Sequence, residues 1–373
     1  MVGRRQVVIG LGGVLALGAA STWRVTRMPE TAREPWIALQ KPEPDVRLDA
    51  FRHAILAPNP HNRQPWLIKL EGADSALLSC DLAKRLPETD PFDRQISIGF
   101  GTFIELARIA ASHRGVRLEV EPFPDGEPQP RLDGRPVARV RFVADAAVTP
   151  DPLRAAIALR RTNRQVYSAA PSAAHLAQLG KDGVEASGDP ALLAAARAIT
   201  IAAITREMNT HRTHMESVNL MRIGSHEVDA KPDGLALIGP LIEATGLLGL
   251  TTRETLADPA STSFRLGLED LQRTYGSVPA LAWITTAGNT RADQLAAGQT
   301  YARLTLRATM LGLALHPVSQ SLQEYPEMAG SFSAIHKLLG ASGSQRVQMM
   351  ARVGKAPPVA PAARYPLEVH LRA

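Results

Sequence analysis

The first stretch with clear chemical potential is residues 57–66, Ala-Pro-Asn-Pro-His-Asn-Arg-Gln-Pro-Trp, which combines amides, prolines and one indole. Its prolines exclude a continuing helix and keep the backbone extended or turned, so the side chains between them are displayed. Asn62 and Gln64 each carry donors and an acceptor, which suits the edge of a planar heterocycle. A proline-rich helix exit has the same composition, because asparagine and proline are common in ordinary loops. Taken alone, the motif favours this second interpretation.

A second polar stretch, residues 159–167, reads Leu-Arg-Arg-Thr-Asn-Arg-Gln-Val-Tyr. Arg160, Arg161 and Arg164 lie close together in it, with a threonine and an asparagine between them. Their guanidinium groups are charge-assisted donors suited to a phosphate or a polyol. Arginine clusters also occur at solvated helix ends, and this interpretation is favoured when the stretch is taken alone.

Three potential metal ligands, Glu207, His211 and His214, have a spacing that could place them on one helical face. The surrounding residues 197–222 predict a long amphipathic helix, which explains the same spacing without a metal. A metal site also needs further ligands and supporting groups nearby, and the sequence offers none. We therefore predict no metal site.

Composition indicates a globular protein with a sizeable core. The chain has 373 residues, of which 45% are hydrophobic and 21% charged. Its formal charge of +6 comes from arginines spread along the chain, whereas a nucleic-acid-binding surface would need them on one face. We expect no nucleic-acid partner. The only cysteine, Cys80, excludes an internal disulfide, a cysteine-rich zinc site and a two-cysteine redox motif.

Residues 1–22 have the pattern of an export signal. Arg4 and Arg5 precede an apolar, glycine-rich run at 7–20, which is shorter than the roughly 20 residues that span a bilayer. The adjacent arginines resemble a twin-arginine signal, and cleavage after Ala20 or retention as an anchor are both open. We expect an exported protein, periplasmic or membrane-anchored, whose only membrane contact is this segment. A cytoplasmic chain is the alternative.

The rest of the chain divides into a linker and two similar halves. Residues 23–45 are rich in proline, arginine and glutamate, lack periodicity, and are predicted to be a linker. In the body, residues 101–115 and 298–312 each run apolar at helical spacing and end at a glycine before a short strand. This self-similarity indicates an internal duplication. We expect a first half at 46–150 and a second half at 151–373.

Other sequence patterns predict further secondary-structure elements in both halves. Alternating and β-branched runs predict strands, and one further amphipathic helix precedes the first polar stretch. Trp66, which follows a proline, is predicted to anchor its loop to the core. The predicted segments are a helix at 49–56 and strands at 66–70, 75–81, 116–122, 137–143, 313–317 and 348–353.

The two polar stretches together resemble motifs of one known family. Residues 57–66 resemble the flavin-contacting loop of the FMN-dependent nitroreductase superfamily, and residues 160–164 resemble its phosphate-binding arginine motif. Their order and spacing are most similar to the Acg branch. The resemblance extends from about residue 45 to the C-terminus and implies an α+β, nitroreductase-like fold.

The order of the motifs is reversed here relative to typical members, in which the arginine motif comes first. Family sites form across a dimer interface, with the loop from one subunit and the arginines from the other. The first half has only the loop, and the second half has only the arginine cluster. The resemblance therefore implies one chain that mimics the family homodimer, builds one composite site for one FMN, and is a monomer.

Site residues follow from the resemblance position by position. The flavin ring and ribityl chain would be lined by Pro58, Asn59, His61, Asn62 and Gln64. The phosphate side would be formed by Arg160, Arg161, Asn163 and, from the C-terminal region, Arg364. Residues 316–320, with Pro317, Ser319 and Gln320, would lie near the reactive N5 and O4 of the ring.

The implied activity is that of a flavin-dependent oxidoreductase. Hydride or electrons would pass through flavin N5 to a small-molecule acceptor such as a nitro compound or a quinone, with NAD(P)H as a candidate donor. No side chain is needed as a catalytic nucleophile. Residues 224–262 are a candidate lid over the flavin. Two alternatives are a flavin-sequestering protein with little or no turnover and an exported binding protein that keeps the fold without FMN.

Overall fold

The structure, a computed structural model, describes residues 29–373, so the predicted export signal lies outside the described residues. Residues 29–373 combine helices with mostly antiparallel strands, which confirms the predicted α+β class. The helices are α1 Glu34–Ala38, α2 Val46–Ala54, α3 Arg94–Ser112, α4 Arg154–Ile157, α5 Ala173–Leu179, α6 Pro190–Asn209, α7 His211–Leu220, α8 Gly224–Ala230, α9 Pro240–Leu247, α10 Arg253–Ala257, α11 Thr262–Gly276, α12 Arg291–Met310 and α13 Ala329–Leu338. The strands are β1 Trp66–Glu71, β2 Ser75–Cys80, β3 Val116–Pro122, β4 Ala138–Ala144, β5 Val184–Ser187, β6 Met221–Ile223, β7 Leu235–Leu237, β8 Leu281–Thr286, β9 Ala314–Pro317, β10 Arg346–Gly354 and β11 Leu371–Arg372.

The strands form two larger sheets and one small one. The first sheet has the order β11-β1-β2-β4-β3, and only the β1–β11 pair in it is parallel. The second has the order β5-β8-β10-β9 and is antiparallel throughout. Strands β6 and β7 pair in parallel by themselves. Apart from β11, the two larger sheets have the same strand arrangement, with β1, β2, β4 and β3 corresponding to β5, β8, β10 and β9.

The first sheet buries one face only. Alternate residues of β4, such as Val140 and Phe142, point into a core that also contains Trp66 and Phe103. On the outer face arginines and glutamates pair across strands, for example Arg141 with a 2.8 Å contact to a carboxylate of β3. Trp66 is fully buried 5.0 Å from the Phe103 ring, which confirms its predicted packing role.

The second sheet is buried on both faces. Along β8, Ala282 and Ile284 join the core against α12, whereas Leu281 and Trp283 join a second core with α6, α11 and α13. The covering helices belong to the long stretch between β5 and β8 and to the segment before β10. The second half is therefore larger than the first because it carries a helical layer that the first sheet lacks.

Two long helices, α3 and α12, cross where the two halves meet. Gly101 of α3 and Gly298 of α12 meet at the crossing, where a Cβ atom added to Gly101 would lie 2.9 Å from the Cα of Gly298. Each helix contributes to the core of the other half: Ile98 packs with the second sheet, and Leu306 packs with the first. Neither sheet thus has a complete core without the other half.

Most sequence-predicted elements are present. Both glycine-ended helices are confirmed, although each begins earlier than predicted, at Arg94 and Arg291. Gly115 and Gly312 follow them with φ of +64° and +65°, the left-handed conformation that suits glycine beyond a helix end. The predicted strands and the helix before the first polar loop are also confirmed, with ends shifted by a few residues.

Two predictions about the elements are wrong. The segment 23–45 is not simply a linker, because residues 31–38 form helical turns and Trp36 is buried. The segment 197–222 is not one continuous helix. It breaks at Thr210, whose extended backbone separates α6 from α7. Among residues 29–373, no helix combines the length and apolar character needed to cross a bilayer.

Candidate functional site

The first polar loop leaves α2 and makes a compact turn before β1. His61, Asn62 and Gln64 have φ of +46°, +53° and +50°, a region that residues other than glycine seldom adopt. The turn is held from inside by Asn59, whose Oδ1 accepts a 2.8 Å hydrogen bond from the backbone N–H of Gln64. Thr102 of α3 fixes the start of the loop by donating to the Pro58 carbonyl at 2.6 Å. Strain of this kind is maintained only where surrounding contacts over-determine it, as in binding loops.

The amide groups of Asn62 and Gln64 have protein partners. Gln64 Nε2 donates to the Pro232 carbonyl at 2.7 Å, and its Oε1 accepts from the backbone N–H of Tyr365 at 2.9 Å. Asn62 Nδ2 donates to the Ala363 carbonyl at 3.0 Å. This differs from the sequence-based expectation that both amides read a heterocycle. The reason is that two distant segments come to lie against the loop and take up its donors and acceptors.

A buried carboxylate ties this loop to residues 224–262. Asp233 contacts Arg63 of the loop at 2.9 Å, Lys84 at 2.6 Å and Arg222 at 2.6 Å. Burial alone would raise the pKa of Asp233, but the hydrogen bonds from Lys84 and Arg222 outweigh it and hold the pKa below its usual value. The candidate lid, residues 224–262, is therefore joined to the first polar loop by the ion pair between Asp233 and Arg63.

Two adjacent arginines and a third from the C-terminal region converge on one indole ring. The guanidinium carbons of Arg161, Arg364 and Arg160 lie 4.7, 5.6 and 5.9 Å from the centroid of Trp36. Arg160 donates to the Leu56 carbonyl at 3.0 Å and Arg364 donates to the carbonyl at position 55 at 2.9 Å. These carbonyls lie just beyond the C-terminal end of α2, which attracts cations.

The charges of this arginine cluster are not neutralised by acids. Within residues 29–373, Arg160, Arg161 and Arg364 form no ion pair with a carboxylate, and their hydrogen-bond acceptors are carbonyl, hydroxyl and amide oxygens. Burial, reinforced by Arg161, lowers the pKa of Arg160 to about 10. Burial and the two neighbouring arginines likewise lower the pKa of Arg364. Buried like charges without acids indicate a site for an anion.

Asn163 has a different place from the one predicted. Its Nδ2 donates to the Pro357 carbonyl at 2.8 Å, and its Oδ1 accepts from the backbone N–H of Gln165 at 2.9 Å. The side chain is buried and closes an Asx turn. It therefore shapes the arginine segment and is not free to bind the anion.

The second half contributes residues 316–320 at the end of β9. His316 is buried, and its Nδ1 accepts from Arg352 Nε at 3.1 Å, so the ring proton is on Nε2. Burial and the positive charge of Arg352 hold the pKa of His316 well below its usual value. Pro317 pairs with a residue of β10, and Ser319 Oγ lies 3.5 Å from an amide oxygen of α3.

Gln320 is fixed by a tyrosine that sequence reasoning missed. Its Nε2 donates to the Tyr275 hydroxyl at 3.2 Å. The Tyr275 ring in turn lies edge-on to His316, with centroids 5.2 Å apart. Tyr275 lies in the last turn of α11 in the helical layer of the second half, where an isolated tyrosine carries no sequence signal for a site.

Arg164 connects the two groups of site residues. It is exposed, and its positive charge is one of the causes that lower the pKa of both His61 and His316. Burial first, and then Arg164 and Arg63, lower the pKa of His61 to about 4, so this imidazole is neutral at pH 7. Sequence reasoning noted Arg164 in its cluster but did not assign it to the site.

Several buried polar atoms at this site lack a partner within the described residues. They include His61 Nδ1, Arg160 Nε and Gln320 Oε1. Unpaired buried polar atoms are costly, and a bound ligand is one way to satisfy them. These groups combine guanidinium cations with neutral imidazole and amide groups. This combination fits a ligand with an anionic group and a planar polar body.

The candidate metal ligands do not converge. Residues 29–373 contain no group of three His, Cys, Asp or Glu side chains arranged to hold a metal ion. Glu207 accepts a 2.8 Å hydrogen bond from Gln323, and His214 Nε2 donates to the Leu256 carbonyl at 2.9 Å. The break at Thr210 explains why these residues do not share one helical face.

Sequence comparison finds relatives in Mycobacterium tuberculosis. The protein named "Putative NAD(P)H nitroreductase Rv3131" is 28% identical over 317 residues, which cover 82% of this chain and 83% of that one. The protein named "Putative NAD(P)H nitroreductase acg" is 33% identical over 128 residues, or 34% of this chain and 37% of that one. No protein-family model matches the chain.

Structure comparison finds similar chains among solved nitroreductase structures. A nitroreductase-like family protein from Bacillus cereus has 14% identity and a TM-score of 0.32, covering 61% of this chain and 98% of that one. The FMN-dependent nitroreductase NfnB from Mycobacterium smegmatis, in complex with NADPH, has 17% identity and a TM-score of 0.32. The match covers 58% of this chain and 96% of that one.

Proposed function

We propose that this chain is an FMN-binding oxidoreductase of nitroreductase type with a nitroreductase-like fold. One observation carries the proposal: Arg160, Arg161 and Arg364 converge without acidic partners beside a loop and a strand end that offer neutral polar groups. A phosphate dianion would neutralise the arginines, and a flavin ring would meet the remaining donors and acceptors. The similarity to the M. tuberculosis protein named "Putative NAD(P)H nitroreductase Rv3131", over most of both chains, supports the same assignment.

The residues divide between the two ends of FMN. Arg160, Arg161 and Arg364 would hold the phosphate, with Arg164 between it and the ring. His61 and the loop from Pro58 to Gln64 would border the ring on one side. From the second half, Pro317, Ser319 and Gln320 would border its reactive edge. When bound, FMN supplies hydride and electron transfer, and the protein supplies binding, orientation and electrostatics.

The polar groups near the ring are suited to a flavin that changes charge on reduction. His61 and His316 are neutral at pH 7 because burial and nearby arginines lower the pKa of each. The exposed cation Arg164 would favour an anionic reduced ring through its charge. Residues 224–262, fastened by Asp233, would limit the access of water to the site.

We also propose that the chain arose by internal duplication and holds one composite site. The matching strand arrangement of the two larger sheets and the crossing of α3 with α12 support this idea. The first polar loop precedes β1, and Arg160 and Arg161 precede β5, so the two motifs come from opposite halves. A monomer with one FMN follows from this arrangement.

The proposed acceptor is a nitro compound, a quinone or a similar small molecule, with NAD(P)H as the proposed donor. Export by the twin-arginine route remains part of the proposal because of Arg4, Arg5 and the apolar run at 7–20. Such a protein would fold around its cofactor before export.

A flavin-sequestering protein with little turnover is the second candidate. The observation that favours it is the set of hydrogen bonds between the first polar loop and residues 232 and 363–365. These bonds would restrict the space beside the flavin ring. In that case the closed segment would keep donor and acceptor away from a bound flavin.

Absorption spectroscopy and anaerobic reduction test these proposals. The purified protein is expected to carry flavin bands or to acquire them with added FMN, and a protein that takes up no flavin would contradict both candidates. Bleaching of the bands by NADH or NADPH, followed by recovery with a nitro compound or a quinone, would support the oxidoreductase. A bound flavin inert to both donors and to these acceptors would support sequestration instead.

A further inference from the structure

Residues 30–38, here called the strap, precede both halves of the fold and lie against the arginine cluster. The strap is held at several points. Thr31 Oγ1 and the backbone N–H of Ala32 donate to the carboxylate of Asp229 at 2.9 and 3.0 Å. The Ala32 carbonyl accepts from the backbone N–H of Arg364 at 2.8 Å, and Trp36 Nε1 donates to the Ala362 carbonyl at 2.8 Å. These contacts give a short segment a defined position.

Trp36 is the residue through which the strap meets the cluster. Its side chain is buried, and all three guanidinium groups lie within 6 Å of its ring centroid. The negative π face of an indole is the strongest aromatic partner for a cation, and the attraction grows where water is excluded. No carboxylate pairs with these arginines among the described residues, so the indole face and the backbone carbonyls at the end of α2 are their electron-rich neighbours.

At an anion site, a neutral partner suits the arginines better than a carboxylate does. A carboxylate in this position would hold the arginines but would also repel a phosphate dianion. The indole holds the same groups without adding charge, so all three positive charges stay available to the ligand. The ring also fills space that water would otherwise occupy, which strengthens the electrostatic attraction.

We propose that Trp36 is a positioning residue that arranges Arg160, Arg161 and Arg364 for a phosphate dianion, so that the strap forms the wall at the phosphate end of the flavin site. The inference rests on the proposed function, since the phosphate is that of FMN. It adds a segment outside both halves to the site, and it makes Trp36 a determinant of selectivity for FMN over riboflavin, which lacks the phosphate.

Titration of the full-length protein with FMN and with riboflavin tests this role. In Trp36→Leu the dissociation constant for FMN is expected to rise about tenfold, as expected for losing cation–π contacts at a desolvated site. The dissociation constant for riboflavin is expected to stay within about twofold of wild type. Trp36→Phe, which keeps a weaker π face, should give a smaller loss for FMN alone. Ile37→Ala, at an exposed neighbour in α1, is the matched control and should change neither constant.

The outcomes separate the role of Trp36 from the proposed function. Equal weakening of FMN and riboflavin, or unchanged FMN affinity, would overturn the positioning role while leaving a flavin protein. Wild-type protein that binds neither flavin would overturn the proposed function and this inference with it. Should Trp36→Leu fail to fold, the ratio of the two constants in Trp36→Phe decides the question, because a purely structural role moves both constants together.

Discussion

Gly101 of α3 and Gly298 of α12 face each other so closely that neither position has room for a side chain. A Cβ on Gly101 would lie 2.1 Å from the Leu295 carbonyl oxygen, and a Cβ on Gly298 would lie 2.0 Å from the Ile98 carbonyl oxygen. The obstructing atoms are backbone atoms, which cannot rotate away. This crossing joins the two halves and thereby sets the distance between the first polar loop and residues 316–320.

Alanine at the crossing should force the two helices apart. We expect Gly101→Ala to lower the free energy of unfolding by about 3 kcal/mol, the upper part of the range for overpacked cores. Gly267→Ala in α11 is the matched control, because no atom lies within 4 Å of its Cβ position. The control should be neutral or stabilise by up to about 1 kcal/mol, since alanine favours helices over glycine. Urea denaturation measures both, and equal effects would contradict the close crossing.

Removal of one arginine from the cluster should weaken FMN binding more than it alters folding. Arg161 is half-buried, and within residues 29–373 it donates to the carbonyls of residues 158 and 160. Loss of a charge-assisted contact to phosphate is expected to raise the dissociation constant for FMN by about tenfold to a hundredfold in Arg161→Ala. Arg265→Ala, an exposed arginine of α11, serves as the control. Fluorescence titration gives the constants, and unchanged affinity in Arg161→Ala would remove the residue from the phosphate site.

Neutralising Asp233 should destabilise the closed arrangement of the first polar loop and residues 224–262. Asp233→Asn leaves Arg63, Lys84 and Arg222 without their shared carboxylate, and we expect a loss of about 3 kcal/mol. Because the folded-state pKa of Asp233 is held below 3.8, this contribution is complete above that pH and disappears as the pH falls through the lowered pKa. Urea denaturation at several pH values would show the difference between variant and wild type shrinking in acid. Asp270→Asn, an exposed carboxylate, should show no such difference.

Glu207 should make the folded protein less stable as the pH rises toward neutrality. Burial, together with the nearby Glu216, raises the pKa of Glu207 from 4.5 to about 7, against an opposing hydrogen bond from Gln323. Below pH 4.5 both states hold the proton and the group contributes nothing. Between pH 4.5 and about 7 the folded state holds the additional proton, so stability falls, by on the order of 3 kcal/mol in total.

Glu207→Gln removes that dependence while keeping an acceptor for Gln323. The free energy of unfolding of the variant relative to wild type is expected to increase from pH 4.5 to 7.5, as measured by urea denaturation. Glu269→Gln, at an exposed position of α11, should follow the wild-type curve. Parallel curves for Glu207→Gln and wild type would contradict a raised pKa.

Local patterns were sufficient to predict the helices and strands that position the site. Glycine-ended apolar runs identified α3 and α12, and the prolines of residues 57–66 correctly indicated a turn after α2, although not the burial of Gln64 within it. The convergence of Arg160 and Arg161 with Arg364 could be predicted only from the family resemblance. Arg364 is too far from the other two in sequence for any spacing rule to apply. The assignment of these residues to a flavin site stays a prediction until a ligand is bound.

What could not be predicted depends on tertiary contacts. Trp36 belongs to a proline-containing segment without periodicity, and its turns are stabilised by Asp229 and Ala362 from elsewhere in the chain. The hydrogen-bond partners of the Gln64 amide likewise come from residues 232 and 365. The sequence next to Gln64 gives no sign of these partners, so it predicts a free amide. A glycine inside a helix also gives no sign that another backbone approaches it.

The most direct test of the composite site is the number of FMN molecules per chain. Purified protein saturated with FMN would be freed of unbound flavin and denatured, and the released flavin would be quantified by absorbance against the chain concentration from amino-acid analysis. One loop and one arginine cluster, contributed by opposite halves, predict one FMN per chain in a monomer. Two FMN per chain, or one per two chains, would contradict the account.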